Sequence, residues 1–350
     1  SFFAKRNRLR PEKTSVETFV PEGALVFLNQ FGTAPGLAMQ VEDGRWKVED
    51  GRHLTPTLSP LLADSQRGEG EKPSSTLHPP SSRWLIMLPG PPRELRPMFD
   101  RSIVPLIKRE FADEVFMCRT LRTSGIGESR VQEFVEADLQ PLMKRGLEIG
   151  YCARPGAVDV RLTASGTGAE GIVHDGEMIV QKILGANIFG TDDDEIESVV
   201  VGLLISQKKT VALAESCTGG NIAHRITNVP GASAVFLGGM VSYADEAKKK
   251  FLGVRAETLH QHGAVSEEVA RAMAMGAREK FGSDFALGVT GIAGPGGGTP
   301  DKPVGTVFIA LASSSGMEVR KMLNSWDRAT FKDVTATQAL EWLRTCLISA

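Results

Sequence analysis

Cysteine is scarce and scattered. The four cysteines of this 350-residue chain, Cys118, Cys152, Cys217 and Cys346, form no CxxC pair, and the six histidines show no metal-ligand spacing beside them. That usage excludes a disulfide-stapled scaffold and a structural zinc site, and it fits a reducing compartment, so a cytoplasmic protein is expected. Long hydrophobic runs are missing too. The longest, such as residues 199–205, fall far below the roughly 18–20 apolar residues of a membrane span, and no membrane partner is expected. Nor does one sign of charge dominate. Forty Lys and Arg against 42 Asp and Glu give a formal net charge of −2, so nucleic acid is an unexpected partner and any anion site must be local. The first residues, SFFAKRNRLR, contain neither Met nor the apolar core of a signal peptide. No targeting segment is expected, and the sequence reads as a fragment.

What is present is globular in kind. Hydrophobic residues make up 41% and charged residues 23%, and the length exceeds one ordinary core, which predicts about two or three domains. Residues 47–83 are rich in Pro, Ser and Gly without helical or strand periodicity, predicting a disordered loop. VEDGRW at 41–46 is followed by VEDGRH at 48–53, and Arg45-Trp46 recurs as Arg83-Trp84. Removing 47–84 would join VEDGRW to LIMLPGPP, so the segment reads as an insertion, which loop-closure entropy tolerates at little cost.

Downstream of it, WLIML from Trp84 predicts a strand, and 94–111 a helix with proline interruptions. Residues 115–125 and 157–165 alternate as strands, while 128–142 and 170–184 have helical spacing, together a small α+β module. The run Asp192-Asp193-Asp194-Glu195 reads as the N-cap and acidic first turn of a helix ending near Ser206. From 193 to 350, strands at 210–214, 234–243, 285–290, 304–311 and 317–323 alternate with helices at 219–227, 245–251, 267–281 and 329–348, the pattern of an α/β domain.

Three segments of this last region could carry chemistry. VALAESCTGG (211–220) runs an apolar strand into a turn and a helix. Such a turn exposes small hydroxyl side chains, here Ser216 and Thr218, at the carboxyl end of a sheet, where a helix amino terminus suits a phosphate or an oxyanion. As a bare pattern, the same residues also suit helix capping. In YADEAK (243–248), Tyr243 stands at a strand–helix junction and Lys248 in the first turns of the helix. A lysine near a tyrosine and a serine can accept the proton that activates a hydroxyl, and it can equally be a solvated surface cation. GVTGIAGPGGGTPDKPVGT (288–306) lets the backbone approach a ligand closely or serves as a plain loop, but it matches neither GxGxxG nor a P-loop. Asp327-Arg328 before the last helix suits an N-cap and a phosphate partner, or simply a cap.

At these residues the sequence resembles the CinA family. AESCTGG, YADEAK, HGAVSEEVA, TGIAGPGGGTPDKPVGTV and the Asp-Arg pair stand in that family's order and spacing. The resemblance implies an α/β nicotinamide mononucleotide (NMN) deamidase domain at 193–350, preceded by a KH-like α+β module at 113–192. Ahead of these lies a partial molybdopterin-binding-like α/β domain at 1–112, whose first half is expected to be missing. It implies hydrolysis of the NMN carboxamide to nicotinate mononucleotide and ammonia, in pyridine nucleotide salvage, with Ser216 as nucleophile activated by Tyr243 and Lys248. It places Thr218 and the amides of Gly219 and Gly220 near the oxyanion or the substrate phosphate, and Gly294, Gly296, Gly297 and Arg328 near phosphate or ribose. No metal and no cofactor are implied, and a homodimer or larger homo-oligomer is. Two other readings stay open: a nucleotide-binding competence or damage-response adaptor without catalysis, and an ADP-ribose pyrophosphatase.

Overall fold

The computed structural model describes residues 20–41, 83–110 and 115–349. The chain divides into two compact units, Ser1–Asp113 and Glu114–Ala350.

In the first unit, β1 (Leu25–Phe27), β2 (Gly36–Val41) and β3 (Arg83–Met87) form an antiparallel sheet in the order β1-β2-β3. Pairing of β2 with β3 reaches Val41 opposite Arg83 and places Gln40 opposite Trp84. Arg83 and Trp84 therefore belong to a strand, and the rest of the expected insertion, 47–82, falls outside the described residues. The single helix expected over 94–111 is divided into α1 (Pro92–Met98), a π-helical turn over Phe99–Ile103, and α2 (Val104–Glu110). Pro97 and Pro105 each remove a backbone donor and crowd the preceding turn, which a wider turn between them relieves. The Asn29 side chain ties the two stretches of this unit together. It donates to the Ala34 carbonyl (2.9 Å) and to Glu94 Oε2 (2.8 Å), while its Oδ1 accepts from the amides of Phe31 and Gly32.

The second unit opens with β4 (Phe116–Ser124), α3 (Glu128–Met143), β5 (Glu148–Arg154), β6 (Ala157–Ser165), α4 (Ala169–Leu184) and β7 (Ile188–Thr191), an antiparallel sheet in the order β5-β6-β4-β7. Val131, Val135, Leu139 and Leu142 on α3, and Ile172, Val173, Val180 and Leu184 on α4, recur at helical spacing and bury against Leu121, Val160 and Leu162 of the sheet. Strands β5 and β7 were not expected from sequence. EIGYCAR and IFGT carry too little alternation to announce a strand, and pairing with β6 and β4 supplies it.

The acidic run is not a helical first turn. Helix α5 (Ile196–Gln207) begins after it, and its N-cap Glu195 makes no side-chain capping bond. Asp192 pairs instead with Arg119 on β4, Asp194 accepts from the Thr191 amide (2.8 Å), and Glu195 takes both its bonds from Arg154 (2.9 and 3.0 Å). Short charge-assisted bonds to fixed arginines outweigh the weak pull of a helix dipole.

Next come β8 (Val211–Glu215), α6 (Asn221–Thr227), β9 (Phe236–Val241), α7 (Asp245–Leu252), α8 (Ala256–His262), α9 (Glu267–Phe281), β10 (Phe285–Gly291), β11 (Thr306–Ser313), β12 (Gly316–Leu323) and α10 (Arg328–Ser349). The sheet order is β12-β11-β10-β8-β9, with β10, β8 and β9 parallel and the β10-β11-β12 side antiparallel. Every residue of β8 is buried, as the apolar run requires of a strand covered on both faces. Helix α9 covers one face; α5, α6 and α10 cover the other. Helix α9 sits so close to β10 that a Cβ on Gly288 would lie 2.5 Å from the Ala270 carbonyl. Among the described residues, no helix is long and apolar enough to cross a membrane.

Candidate active site

The three parallel strands end side by side, and their carboxyl ends build the site, as the topology of an open α/β sheet dictates. Beyond β8, the Ser216 amide donates to the Val289 carbonyl of β10 (2.9 Å), and the Ser242 amide donates to the Glu215 carbonyl (2.8 Å). The turn after β8 is thereby fastened to both neighbours. Ser216 emerges between the end of β9, which leads into Tyr243, and the end of β10, which leads into the glycine-rich loop.

A cleft of about 250 Å³ opens there. Of the residues expected from sequence it gathers Ser216, Tyr243, Lys248, Gly294, Gly296, Gly297 and Arg328. Lys248 is 1% exposed; its Nζ donates to the Tyr243 carbonyl (3.1 Å) and lies 3.4 Å from Asp245 Oδ1. The Tyr243 ring is largely exposed, and its hydroxyl accepts from Arg328 Nη2 (2.6 Å), while Arg328 Nη1 donates to the Gly294 carbonyl (2.8 Å). One guanidinium thus joins the tyrosine to the glycine loop. Arg328 opens α10, whose first amides are capped by Asp327; bonds from Thr330 hold that carboxyl below its usual range.

Thr218, Gly219 and Gly220 do not line the cleft. Both glycines take positive φ, 62° and 93°, so α6 begins after them and not at 219 as expected. Their amides are already engaged, Gly219 with the Ser216 carbonyl (3.1 Å) and Gly220 with Glu215 Oε2 (3.0 Å), which removes them as free donors to an oxyanion or phosphate. The Thr218 hydroxyl is fully buried, with no partner among the described residues.

Sequence reasoning missed four contributors. Asp245 lines the cleft beside Lys248, and Thr290, whose hydroxyl donates to the Ala264 carbonyl (2.8 Å), fixes the 263–266 wall. Cys217 follows Ser216 in the lining; burial pushes its thiol up to about 12, which leaves it protonated and unreactive. Glu215, 1% exposed, accepts amide bonds from α6. A Glu ending an apolar run, followed by a glycine turn, was the available signal. Among the described residues, no group of three or more His, Cys, Asp or Glu side chains is placed to hold a metal ion.

Comparison with known proteins places the chain beside members of one family. The family model for the CinA C-terminal domain matches residues 193–347, and that for the damage-inducible protein CinA KH domain matches 118–190. A CinA-like protein of Akkermansia muciniphila is 41% identical over 344 residues, spanning 98% of this chain and 73% of that protein. A protein of Caldicellulosiruptor bescii, named as competence-damage inducible, is 38% identical over 351 residues, spanning 99% of this chain and 75% of its own length. A crystal structure of a competence/damage inducible protein from Agrobacterium tumefaciens is 39% identical and covers 44% of this chain and 97% of its own, with a TM-score of 0.42.

Proposed function

Since the chain belongs to the CinA family, we propose that it hydrolyses the carboxamide of nicotinamide mononucleotide, releasing ammonia and nicotinate mononucleotide. The observation that carries this reading is the convergence of Ser216, Tyr243 and Lys248 on one cleft, with Arg328 and the glycine loop forming part of its lining.

An amide resists direct attack by water, and a covalent intermediate divides the barrier in two. Ser216 Oγ adds to the carboxamide carbon and gives its proton to the Tyr243 and Lys248 pair. The amide of Cys217, the residue after the nucleophile, is the donor assigned to the developing oxyanion. Collapse of the tetrahedral species breaks the C–N bond, the nitrogen takes up the proton, and ammonia leaves an ester on Ser216. Water adds to that ester by the same route, so one water is consumed and one carboxylate formed. Arg328, which lies in the lining and holds Gly294, binds the substrate phosphate together with the amides around Gly296 and Gly297. Assembly as a homo-oligomer belongs to the same reading. Its support is β9, an edge strand that exposes Leu237 and Val241, and light scattering of the purified chain tests it.

The test of function is Ser216→Ala. Ammonia release from NMN should vanish while NMN binding, followed by calorimetry, persists, and EDTA should change neither. Undiminished release by the variant overturns the serine mechanism.

A further inference from the structure

The α6 amino terminus meets the end of β8 where an α/β sheet commonly receives a ligand's phosphate. Here the protein fills that place with its own anion. Glu215, the last residue of β8, turns its carboxylate back under the loop 216–220. Oε2 accepts from the amides of Gly220 (3.0 Å) and Ile222 (3.1 Å), and Oε1 accepts from Ala223 (2.9 Å). The main chain of the same residue pairs with both neighbouring strands, opposite Val289 in β10 and Val241 in β9. The carboxylate is 1% exposed as a residue and forms no ion pair among the described residues. It is held entirely by backbone amides and the helix dipole.

The hydroxyls of the loop do not share this work. Gly220, the N-cap, makes no side-chain bond, and Thr218 Oγ1 and Ser242 Oγ are buried without partners among the described residues. Two consecutive residues at positive φ, Gly219 and Gly220, leave the loop with little conformational preference of its own.

We propose that Glu215 is the positioning residue of the site: its carboxylate, bonded to the Gly220, Ile222 and Ala223 amides, sets the Ser216 loop in its reactive register and excludes the substrate phosphate from the α6 terminus. This rests on the deamidase reading of Ser216. Glutamine preserves the size of the side chain, but its one carbonyl oxygen cannot serve the donors that two carboxylate oxygens serve, and its NH₂ opposes an N–H.

The experiment uses the full chain and its Glu215→Gln and Glu215→Asp variants. Steady-state kinetics with NMN are read beside amide hydrogen exchange and the rate at which a fluorophosphonate probe labels Ser216. In Glu215→Gln, exchange at Gly220, Ile222 and Ala223 should accelerate, and kcat should fall about a hundredfold, the scale of a reacting atom displaced by an ångström, with KM moving less than about threefold. Glu215→Asp, which keeps the charge, should recover part of kcat. Faster exchange with unchanged kcat and unchanged labelling would reduce Glu215 to a structural cap and overturn the proposal. If the wild type leaves NMN intact, the deamidase reading fails by itself. The positioning claim is then judged on labelling alone, which should slow at least tenfold in Glu215→Gln and overturns the claim if it does not.

Discussion

Replacing Lys248 by methionine should abolish activity without unfolding the protein. Lys248 is 1% exposed, and its Nζ makes one good bond, to the Tyr243 carbonyl at 3.1 Å, with Asp245 Oδ1 farther off at 3.4 Å on a side chain that is 56% exposed. Losing that hydrogen bond costs about 0.5–1.5 kcal/mol. Against that, an apolar side chain of similar reach removes a buried polar group whose hydrogen-bonding capacity is only partly met, which recovers about 1–3 kcal/mol. The two effects nearly cancel, so Lys248→Met should remain within about 1 kcal/mol of the wild type, a shift in Tm of roughly 2–4 °C. Activity should fall by about 10²–10⁴, the contribution of a positioned proton acceptor. Lys248→Ala, which also leaves a cavity, should lose both activity and several degrees. Calorimetry and ammonia release on the same samples read both quantities. A stable Lys248→Met enzyme keeping more than about a tenth of wild-type kcat would refute the proton-transfer role, since that loss is far below what general-base removal produces. A collapsed Tm would mean that the lysine is there for the fold.

The other predictions concern residues at or behind the cleft. Burial holds the Cys217 thiol up to about 12 from 9.0, so the folded chain keeps a proton that the unfolded chain releases above 9. The stability this represents is present below that pH and is lost as pH rises, at about 1.4 kcal/mol per unit. Urea midpoints of wild type and Cys217→Ala should therefore converge by about that amount between about pH 9 and 10, and parallel curves would contradict the burial. With an aromatic disulfide reagent at mild alkaline pH, the exposed Cys118 and Cys152 should react in the folded protein and Cys217 should not. Arg328→Gln, tested with NMN and with its dephosphorylated riboside, should raise KM for the nucleotide at least tenfold and leave the riboside nearly unaffected; equal losses for both would remove Arg328 from phosphate recognition. Gly288→Ala should lower stability by about 1–3 kcal/mol in denaturant, because its Cβ would meet the Ala270 carbonyl at 2.5 Å.

How much of this was legible in the sequence depended on whether a feature is local. The strands β8, β9 and β10 announce themselves as mainly apolar runs, and Ser216 stands where one of those runs breaks. Tyr243 and Lys248 are separated by one turn entering a helix, so their approach follows from local geometry. Glu215 is different. A glutamate closing the apolar run before a glycine turn is its one signal, but it does not say that a helix beginning six residues later folds back over that carboxylate, and without that contact Gly219 and Gly220 look like free donors. The acidic run at 192–195 supplies the N-cap position at Glu195 but failed as a first turn for the same reason. Its partners Arg119 and Arg154 lie far off in sequence and reach it only through the β4 and β5 pairings. Short elements such as α8 and β7 are made by their neighbours more than by their own residues, and a single sequence does not display neighbours.

The central claim, that this cleft deamidates NMN, is tested most directly by incubating the purified chain with NMN and measuring ammonia and nicotinate mononucleotide together. The account predicts equal amounts of both, rising with time and absent when Ser216→Ala replaces the wild type. A folded chain that binds NMN and releases neither product would contradict it.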